Sequence, residues 1–269
     1  MPRYKTSDVL KADYESGKLI AHHGQNLWWY NKSIDSRPPY IHCLPIGLEN
    51  RQYKFGGALH IYINALKKNV IDRPVMTLEE SNKRPLLLIA FYPKSRVPDR
   101  HKVLSILGAI PPKGQPKPTN TWYNETDLSH SEWLDAIGII IMIIIINIHM
   151  CLYLHSYYIG EHRFVLAPFG HGLDTHRISE ILLMGGIPVM RRSTISSCYD
   201  DSDNYYNTNT TSNFTRGSLP IVLLDSWEHL NATRLEKEWE VFSKRPHSHW
   251  DWKRLYVDHW LQRIGCKSG

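Results

Sequence analysis

Residues 164–190 read FVLAPFGHGLDTHRISEILLMGGIPVM. The apolar run at the start, residues 164–167, is typical of a buried strand, and the proline and glycines that follow predict a turn. Apolar residues then repeat at helical spacing, Asp174 can cap the start of this helix, and Gly185-Gly186 can end it. A second apolar run closes the stretch. The whole therefore predicts a strand, a turn, a helix and a strand, which is a βαβ unit.

The turn between the first strand and the helix predicts a phosphate site. A helix start presents N–H groups outside the helical hydrogen-bond pattern and the positive end of the helix dipole, and both favour an anion. Gly170 and Gly172 let a ligand approach the backbone, although glycines also serve the turn itself. Arg177 and Glu180 share one helix face, where an arginine can bind phosphate oxygens and a carboxylate can accept ribose hydroxyls.

The same stretch resembles the signature of the exostosin-like glycosyltransferases, in which a strand ending in Pro-x-Gly-x-Gly precedes Asp-Thr-His-Arg, a Glu and Gly-x-Ile-Pro-Val. The resemblance implies a GT-B fold, an α/β fold of two Rossmann-like halves. It implies inverting transfer from a nucleotide sugar, a UDP-sugar, to a hydroxyl of a glycan or glycoprotein acceptor, without a metal or other cofactor. Arg177 would bind the diphosphate and Glu180 the ribose. The other implied donor-binding residues, which shape the loop, are Gly170, Gly172, Asp174 and Thr175.

Phe169 departs from this pattern, because relatives have a basic residue at its position and phenylalanine cannot neutralise a phosphate. The departure leaves two interpretations open. One is an active transferase with weaker donor affinity, and the other is a catalytically inactive relative that serves as a binding or partner subunit. A phosphotransferase or dehydrogenase is disfavoured, because the chain has neither G-x-x-x-x-G-K-[ST] nor G-x-G-x-x-G.

The resemblance also divides the chain into parts. It implies an N-terminal acceptor-side half at residues 1–135, an apolar insertion at 136–158 and the donor-binding half at 159–269. Residues 45–51, PIGLENR, resemble a stretch in the N-terminal half of the same family. A chain of 269 residues is short for two complete halves, so the N-terminal half is expected to be incomplete.

Hydrophobic patterns supply elements for this N-terminal half. Residues 40–46 and 85–92 predict strands, the latter a buried parallel one, and residues 56–68 and 99–107 predict helices. An inverting transfer also needs a base that deprotonates the acceptor hydroxyl. The sequence leaves this base open among five candidates: His22, His23, Glu49, Asp99 and His101.

Charge and composition limit the partners and the compartment. The net charge of +6 favours attraction of anionic nucleotide sugars, while basic residues without interleaved aromatics disfavour nucleic acid as a partner.

Scattered cysteines argue against a zinc ribbon or a dense disulfide scaffold. Asn-x-Ser/Thr sequons, the acceptor sites of N-glycosylation, favour a protein of the secretory lumen, although the first residues do not form a signal peptide. The sequons begin at Asn31, Asn124, Asn209, Asn213 and Asn231. The family resemblance implies the Golgi or endoplasmic reticulum lumen.

Residues 137–154, IGIIIMIIIINIHMCLYL, are foreign in composition to their flanks. Their apolar core is shorter than the roughly 20 residues that span a bilayer, and a span here would separate the two halves. Three interpretations remain: a retained-intron insertion, a buried strand or helix, and a membrane segment. Membrane association would come through this segment or through a missing N-terminal anchor.

The C-terminal part completes the predicted donor half. Residues 219–224 predict a further buried strand, a helix follows through Trp239, and a terminal helix runs to Ile264. Asp201-Ser202-Asp203 resembles a metal-binding Asp-x-Asp, but it lies in a polar low-complexity loop. His247-Ser248-His249 fits an aromatic-flanked helical segment better than zinc. No metal site is therefore predicted.

Overall fold

The computed structural model describes residues 7–25, 40–48, 63–64, 66–67, 84–89, 97–108, 123–125, 162–200 and 218–265. Its helices are α1 (Ser7–Glu15), α2 (Pro98–Ile106), α3 (His176–Leu183), α4 (Ala232–Lys244) and α5 (Val257–Arg263). Its strands are β1 (His22–Gly24), β2 (Ile41–Cys43), β3 (Leu87–Ile89), β4 (Tyr123–Glu125), β5 (Phe164–Leu166), β6 (Ile187–Arg191) and β7 (Val222–Leu224).

The strands form two parallel sheets. The larger sheet has five strands in the order β4-β3-β5-β6-β7, and β1 pairs with β2 in a separate two-stranded sheet. Helices and parallel strands together make an α/β fold, as the sequence predicted. Parallel strands need crossovers, which place helices against the sheet.

Both faces of the larger sheet are buried, and alternate strand residues supply two cores. On one face Leu87, Ile89 and Phe164 pack with residues of α2 and α4. On the other face Leu88 and Val165 pack with residues of α3. The near-continuous apolar strands of the sequence are explained by this three-layer arrangement, since a strand with both faces covered has no solvent-facing positions.

The strand within residues 85–92 pairs differently from the prediction. This strand was expected to belong to the N-terminal half, yet β3 pairs with β5, with Leu87 opposite Phe164 and Leu88 opposite Val165. The predicted division at residues 136–158 therefore passes through one sheet. An apolar run predicts a buried strand, but it does not specify which strand will be its neighbour.

Helix α3 differs from the prediction at its start and agrees with it at its end. Thr175, rather than Asp174, is the N-cap residue, and its side chain makes no capping hydrogen bond. The end has Gly185 at φ 81°, and Gly186 N–H donates to Ile181 O at 3.0 Å. This is a Schellman motif, in which glycine adopts the left-handed conformation that other residues avoid.

The C-terminal helices also follow local signals. The helix predicted through Trp239 is a 3-10 turn, Trp227–His229, followed by α4. Asn231 starts α4, since its side chain accepts from Arg234 N–H at 2.9 Å. The terminal helix ends at Arg263, close to the predicted end.

Other predictions fall where the structure gives no description. Of the helix predicted at 56–68, the structure describes residues 63–64 and 66–67, which are helical. Residues 137–154 and Asp201-Ser202-Asp203 lie outside the described residues. Within the described part of the chain, no helix combines the length and apolar character needed to cross a membrane.

A disulfide joins two distant parts of the chain. Cys43, at the end of β2, is bonded to Cys198 in the 3-10 turn Ser196–Cys198, with 5.6 Å between the Cα atoms. Both residues are buried. The sequence analysis did not predict this bond, because the spacing of scattered cysteines does not reveal which of them meet.

Candidate functional site

The strand order creates a crevice between β3 and β5. The chain passes from β3 to β4 on one side, and the next strand, β5, lies on the other side of β3. In open parallel sheets, ligands bind at the carboxyl ends of the strands where the connections diverge in this way. The glycine turn after β5 and the start of α2 lie at this point of divergence.

The turn after β5 leaves little room for a side chain at position 170. A Cβ on Gly170 would lie 3.0 Å from Thr175 Cγ2 and 3.5 Å from Arg100 Nη2. The backbone closes the turn with a hydrogen bond from Gly170 N–H to Gly172 O at 3.0 Å. A side chain at position 170 would therefore crowd the Thr175 methyl group, and the Arg100 guanidinium lies within van der Waals distance of the same place.

The guanidinium group of Arg100 lies within electrostatic range of Arg177. Burial lowers the pKa of Arg100, the positive charge of Arg177 lowers it further, and Asp99 acts in the opposite direction. Two neighbouring cations in a partly buried crevice repel each other, and a bound anion would relieve that repulsion. Arg177 was predicted from the sequence, whereas Arg100 was missed. Its signal was its place at the start of the helix that follows the buried strand of residues 85–92.

Asp99 fixes the arrangement of the crevice. Its Oδ2 accepts from Phe169 N–H at 3.0 Å, and its Oδ1 accepts from Trp227 Nε1–H at 3.0 Å. Arg191 Nη2 lies 3.1 Å from the same Oδ1, and the Asp99 side chain is only 8% exposed. These contacts join α2 to the turn after β5, to the end of β6 and to the turn after β7. Asp99, a candidate base, is thus engaged as a structural acceptor.

Phe169 occupies a position where the family resemblance leads one to expect a positive charge. Its ring is 6% exposed, and the Arg191 guanidinium carbon lies 4.9 Å from the ring centroid. The positively charged Arg191, on the neighbouring strand β6, thus lies next to this position. Arginine at position 169 would bring a second guanidinium next to Arg191, so Phe169 fits its surroundings as a buried aromatic residue.

Asp174 connects the glycine turn to the segment after β2. Ile46 N–H donates to Asp174 Oδ2 at 2.7 Å, and Tyr199 O–H donates to Asp174 Oδ1 at 2.8 Å. His176 Nδ1 lies 2.8 Å from Gly47 O, a contact that requires the proton on Nδ1 because the carbonyl can only accept. Two stretches that the sequence analysis linked to one family, PIGLENR and DTHR, are thus in direct contact.

Burial dominates the electrostatics of Asp174. The residue is 2% exposed, and burial raises the pKa of its carboxyl group to about 6, while hydrogen bonds from Ile46 and Tyr199 oppose the shift. The pKa of Tyr199 is raised well above its ordinary value, first by burial and then by the charge of Asp174. The Asp174 side chain therefore links distant segments of the chain.

The Asp174 carboxyl group predicts a pH dependence of stability. Its folded-state pKa of about 6 exceeds the ordinary value of 3.8, so the folded protein binds the proton more tightly than the unfolded chain. The resulting stabilisation is complete below pH 3.8 and is lost as the pH rises through about 6. It amounts to about 3 kcal/mol, because each pKa unit is worth about 1.4 kcal/mol.

The variant Asp174→Asn isolates this contribution. Its amide can accept from Ile46 and pair with the Tyr199 hydroxyl without titrating. Denaturant unfolding across this pH range should show the wild type losing stability relative to the variant as the pH rises. Parallel stability curves for the two proteins would contradict the assignment.

Of the next three predicted residues, the structure describes two. Glu180 lies in α3 and is 8% exposed, on the same helix face as Arg177. His101 is exposed on α2, and Glu49 lies outside the described residues. In the part of the chain that the structure describes, no group of three or more His, Cys, Asp or Glu residues is arranged to bind a metal ion.

Two base candidates lie together on β1. His22 and His23 are half-buried, and the His23 ring stacks on His42 of β2 with 4.8 Å between centroids. Burial lowers the pKa of His23 most, followed by the charges of His42, His22 and Arg263. A lowered pKa favours the neutral imidazole, the form that can accept a proton.

No protein-family model matches this chain, and no curated protein sequence matches it.

Proposed function

We propose that this protein is a glycosyltransferase of the exostosin-like type that binds a UDP-sugar at the crevice between β3 and β5. The observation behind the proposal is the meeting of the Gly170 turn, Arg100 and Arg177 at the point where the sheet connections diverge. The starts of α2 and α3 lie at the same edge of the sheet, so their dipoles add to the attraction for a diphosphate.

The charges in the crevice suit the chemistry of sugar transfer. An acceptor hydroxyl oxygen forms a bond to the anomeric carbon while the bond from that carbon to the diphosphate oxygen breaks. Negative charge develops on the departing diphosphate, where Arg100 and Arg177 would stabilise it. The hydroxyl proton passes to a base, and Glu180 would accept a hydrogen bond from the ribose. This is the inverting reaction with a single displacement.

A GT-B arrangement of two halves would place the acceptor opposite the donor. The segment that follows β2 contacts Asp174 and His176 at the carboxyl edge of the larger sheet. The segment after the β1–β2 sheet is therefore in contact with the carboxyl edge of the larger sheet, and this contact supports the proposed arrangement. The neutral form of His23 and its place on β1 make it, with His22, the preferred base among the five candidates.

The proposed compartment is the lumen of the Golgi or endoplasmic reticulum, with a glycan or glycoprotein as acceptor. The buried disulfide between Cys43 and Cys198 supports this proposal. Such bonds form and persist in oxidising compartments and are rare in the cytosol.

Calorimetric titration with UDP tests the donor site. Arg177→Ala and Arg100→Ala should each weaken binding by about 1.5–3 kcal/mol, the range of a hydrogen bond to a charged group. Lys244→Ala is the matched control, because it removes one positive charge from an exposed position on α4. The control should bind UDP as the wild type does.

The outcomes separate the candidate functions. Binding that both arginine variants weaken, together with sugar transfer to a glycan acceptor, supports the transferase. Binding without transfer, in a screen of UDP-sugars, favours the inactive relative that acts as a binding subunit. Folded protein that does not bind UDP would refute the proposed donor site.

A further inference from the structure

The sequon Asn231-Ala232-Thr233 lies at the start of α4. Both Asn231 and Thr233 are exposed in the folded chain. Ala232 satisfies the requirement that the middle residue is not proline. Among the five sequons, this is the one whose asparagine side chain the structure describes, so its surroundings can be assessed directly.

We propose that Asn231 carries an N-linked glycan. Its Oδ1 accepts from Arg234 N–H at 2.9 Å, which caps the helix, and its Nδ2 donates to His229 O at 3.4 Å. Attachment of a sugar replaces one of the two hydrogens on Nδ2. The capping oxygen is not altered, so the modified side chain can still accept from Arg234 N–H and α4 keeps its cap.

The modification needs a particular compartment, and the structure contains an independent sign of one. Cys43 and Cys198 form a buried disulfide across 155 positions of the sequence. A bond of this kind is typical of proteins that fold in an oxidising lumen, where N-glycosylation also takes place. The inference depends on this disulfide and on the exposed sequon, and it does not depend on the proposed transferase activity.

The chemistry is a transfer from a lipid-linked donor. The Asn231 amide nitrogen forms a bond to the anomeric carbon of an oligosaccharide held on a polyisoprenyl diphosphate. The bond from that carbon to the diphosphate oxygen breaks, the diphosphate leaves with the electron pair, and the amide proton passes to a base of the transferring enzyme. The step involves no oxidation or reduction, and this chain acts in it only as the acceptor.

Expression of the full chain through the secretory pathway of eukaryotic cells tests the proposal. Partial enzymatic removal of N-glycans gives a ladder of bands on a denaturing gel, with one step for each glycan. Asn231→Asp and Thr233→Val should each remove one step, since either change destroys the sequon. Aspartate is itself a good N-cap residue, so the first variant retains the helix start.

Thr233→Ser is the matched control, because serine preserves the sequon, and its ladder should equal that of the wild type. Mass spectrometry of the peptide that contains Asn231 should then show conversion to aspartate after glycan release. Ladders that are unchanged in both sequon-destroying variants, in protein whose Cys43–Cys198 bond has formed, would overturn the proposal.

Discussion

Asp99→Ala is expected to lower the free energy of unfolding by about 2–4 kcal/mol, because a nearly buried carboxylate loses two hydrogen bonds and an ion pair together. The Asp99 carboxylate accepts from Phe169 N–H and from Trp227 Nε1–H, and it pairs with Arg191. Trp227 is fully buried, so its indole N–H would lose its partner in a place that water does not reach. The Arg191 guanidinium would lose its nearby negative charge at the same time.

Denaturant unfolding of Asp99→Ala is compared with that of Asp225→Ala, which removes an exposed carboxylate. Asp225 also pairs with an arginine, Arg192, at 3.0 Å, but its side chain is 74% exposed. Asp225→Ala should therefore cost less than about 1 kcal/mol, because exposed ion pairs are screened by water. Equal losses in Asp99→Ala and Asp225→Ala would show that Asp99 does not hold the crevice together.

A third variant distinguishes charge from hydrogen bonding. Asp99→Asn keeps one accepting oxygen but loses the negative charge next to Arg191. Its loss of stability should lie between those of the two alanine variants. The turn after β5 is held by Asp99, so both Asp99 variants should also weaken UDP binding if the crevice is the donor site.

The parts of the fold that could be predicted are those that are determined by residues close together in the sequence. The strand, turn, helix and second strand of residues 164–190 each have a signal within a few residues, and β5, α3 and β6 follow them closely. Gly185 is an example, since a helix that must end in a left-handed residue selects glycine at that position. The α/β class follows from such segments in series.

The parts that could not be predicted depend on which segments meet. The run at residues 85–92 has the pattern of a buried strand, but its pairing with β5 is decided by the whole sheet. Aspartate is a common helix-capping residue, yet the Asp174 carboxyl group accepts hydrogen bonds from Ile46 and Tyr199, which lie in other parts of the chain. Arg100 joins the crevice for the same reason. Sequence patterns report local propensity and burial, and these residues acquire their roles from long-range contacts.

Loss of the Cys43–Cys198 bond is expected to lower the free energy of unfolding by about 2–4 kcal/mol, the range typical of native disulfides. The bond closes a loop across 155 positions of the sequence, so it restricts the unfolded chain strongly. It also attaches the end of β2 to the turn that contains Cys198, close to the contacts that Asp174 makes with Ile46 and Tyr199. Reduction should therefore release the segment that joins the two sheets.

The variants Cys43→Ser, Cys198→Ser and the double substitution separate the bond from the packing of each sulfur. If the bond is the main contribution, each single variant loses about as much stability as the double variant, because either change removes the same crosslink. If the losses add, the buried side chains contribute independently. Complete reduction should lower the stability of the wild type to about that of the variants in denaturant unfolding. Unchanged stability after complete reduction would contradict a stabilising role for the bond.

UDP titration of the same proteins shows whether the disulfide also positions the crevice. Loosening of the segment after β2 would weaken donor binding only if that segment supports the site.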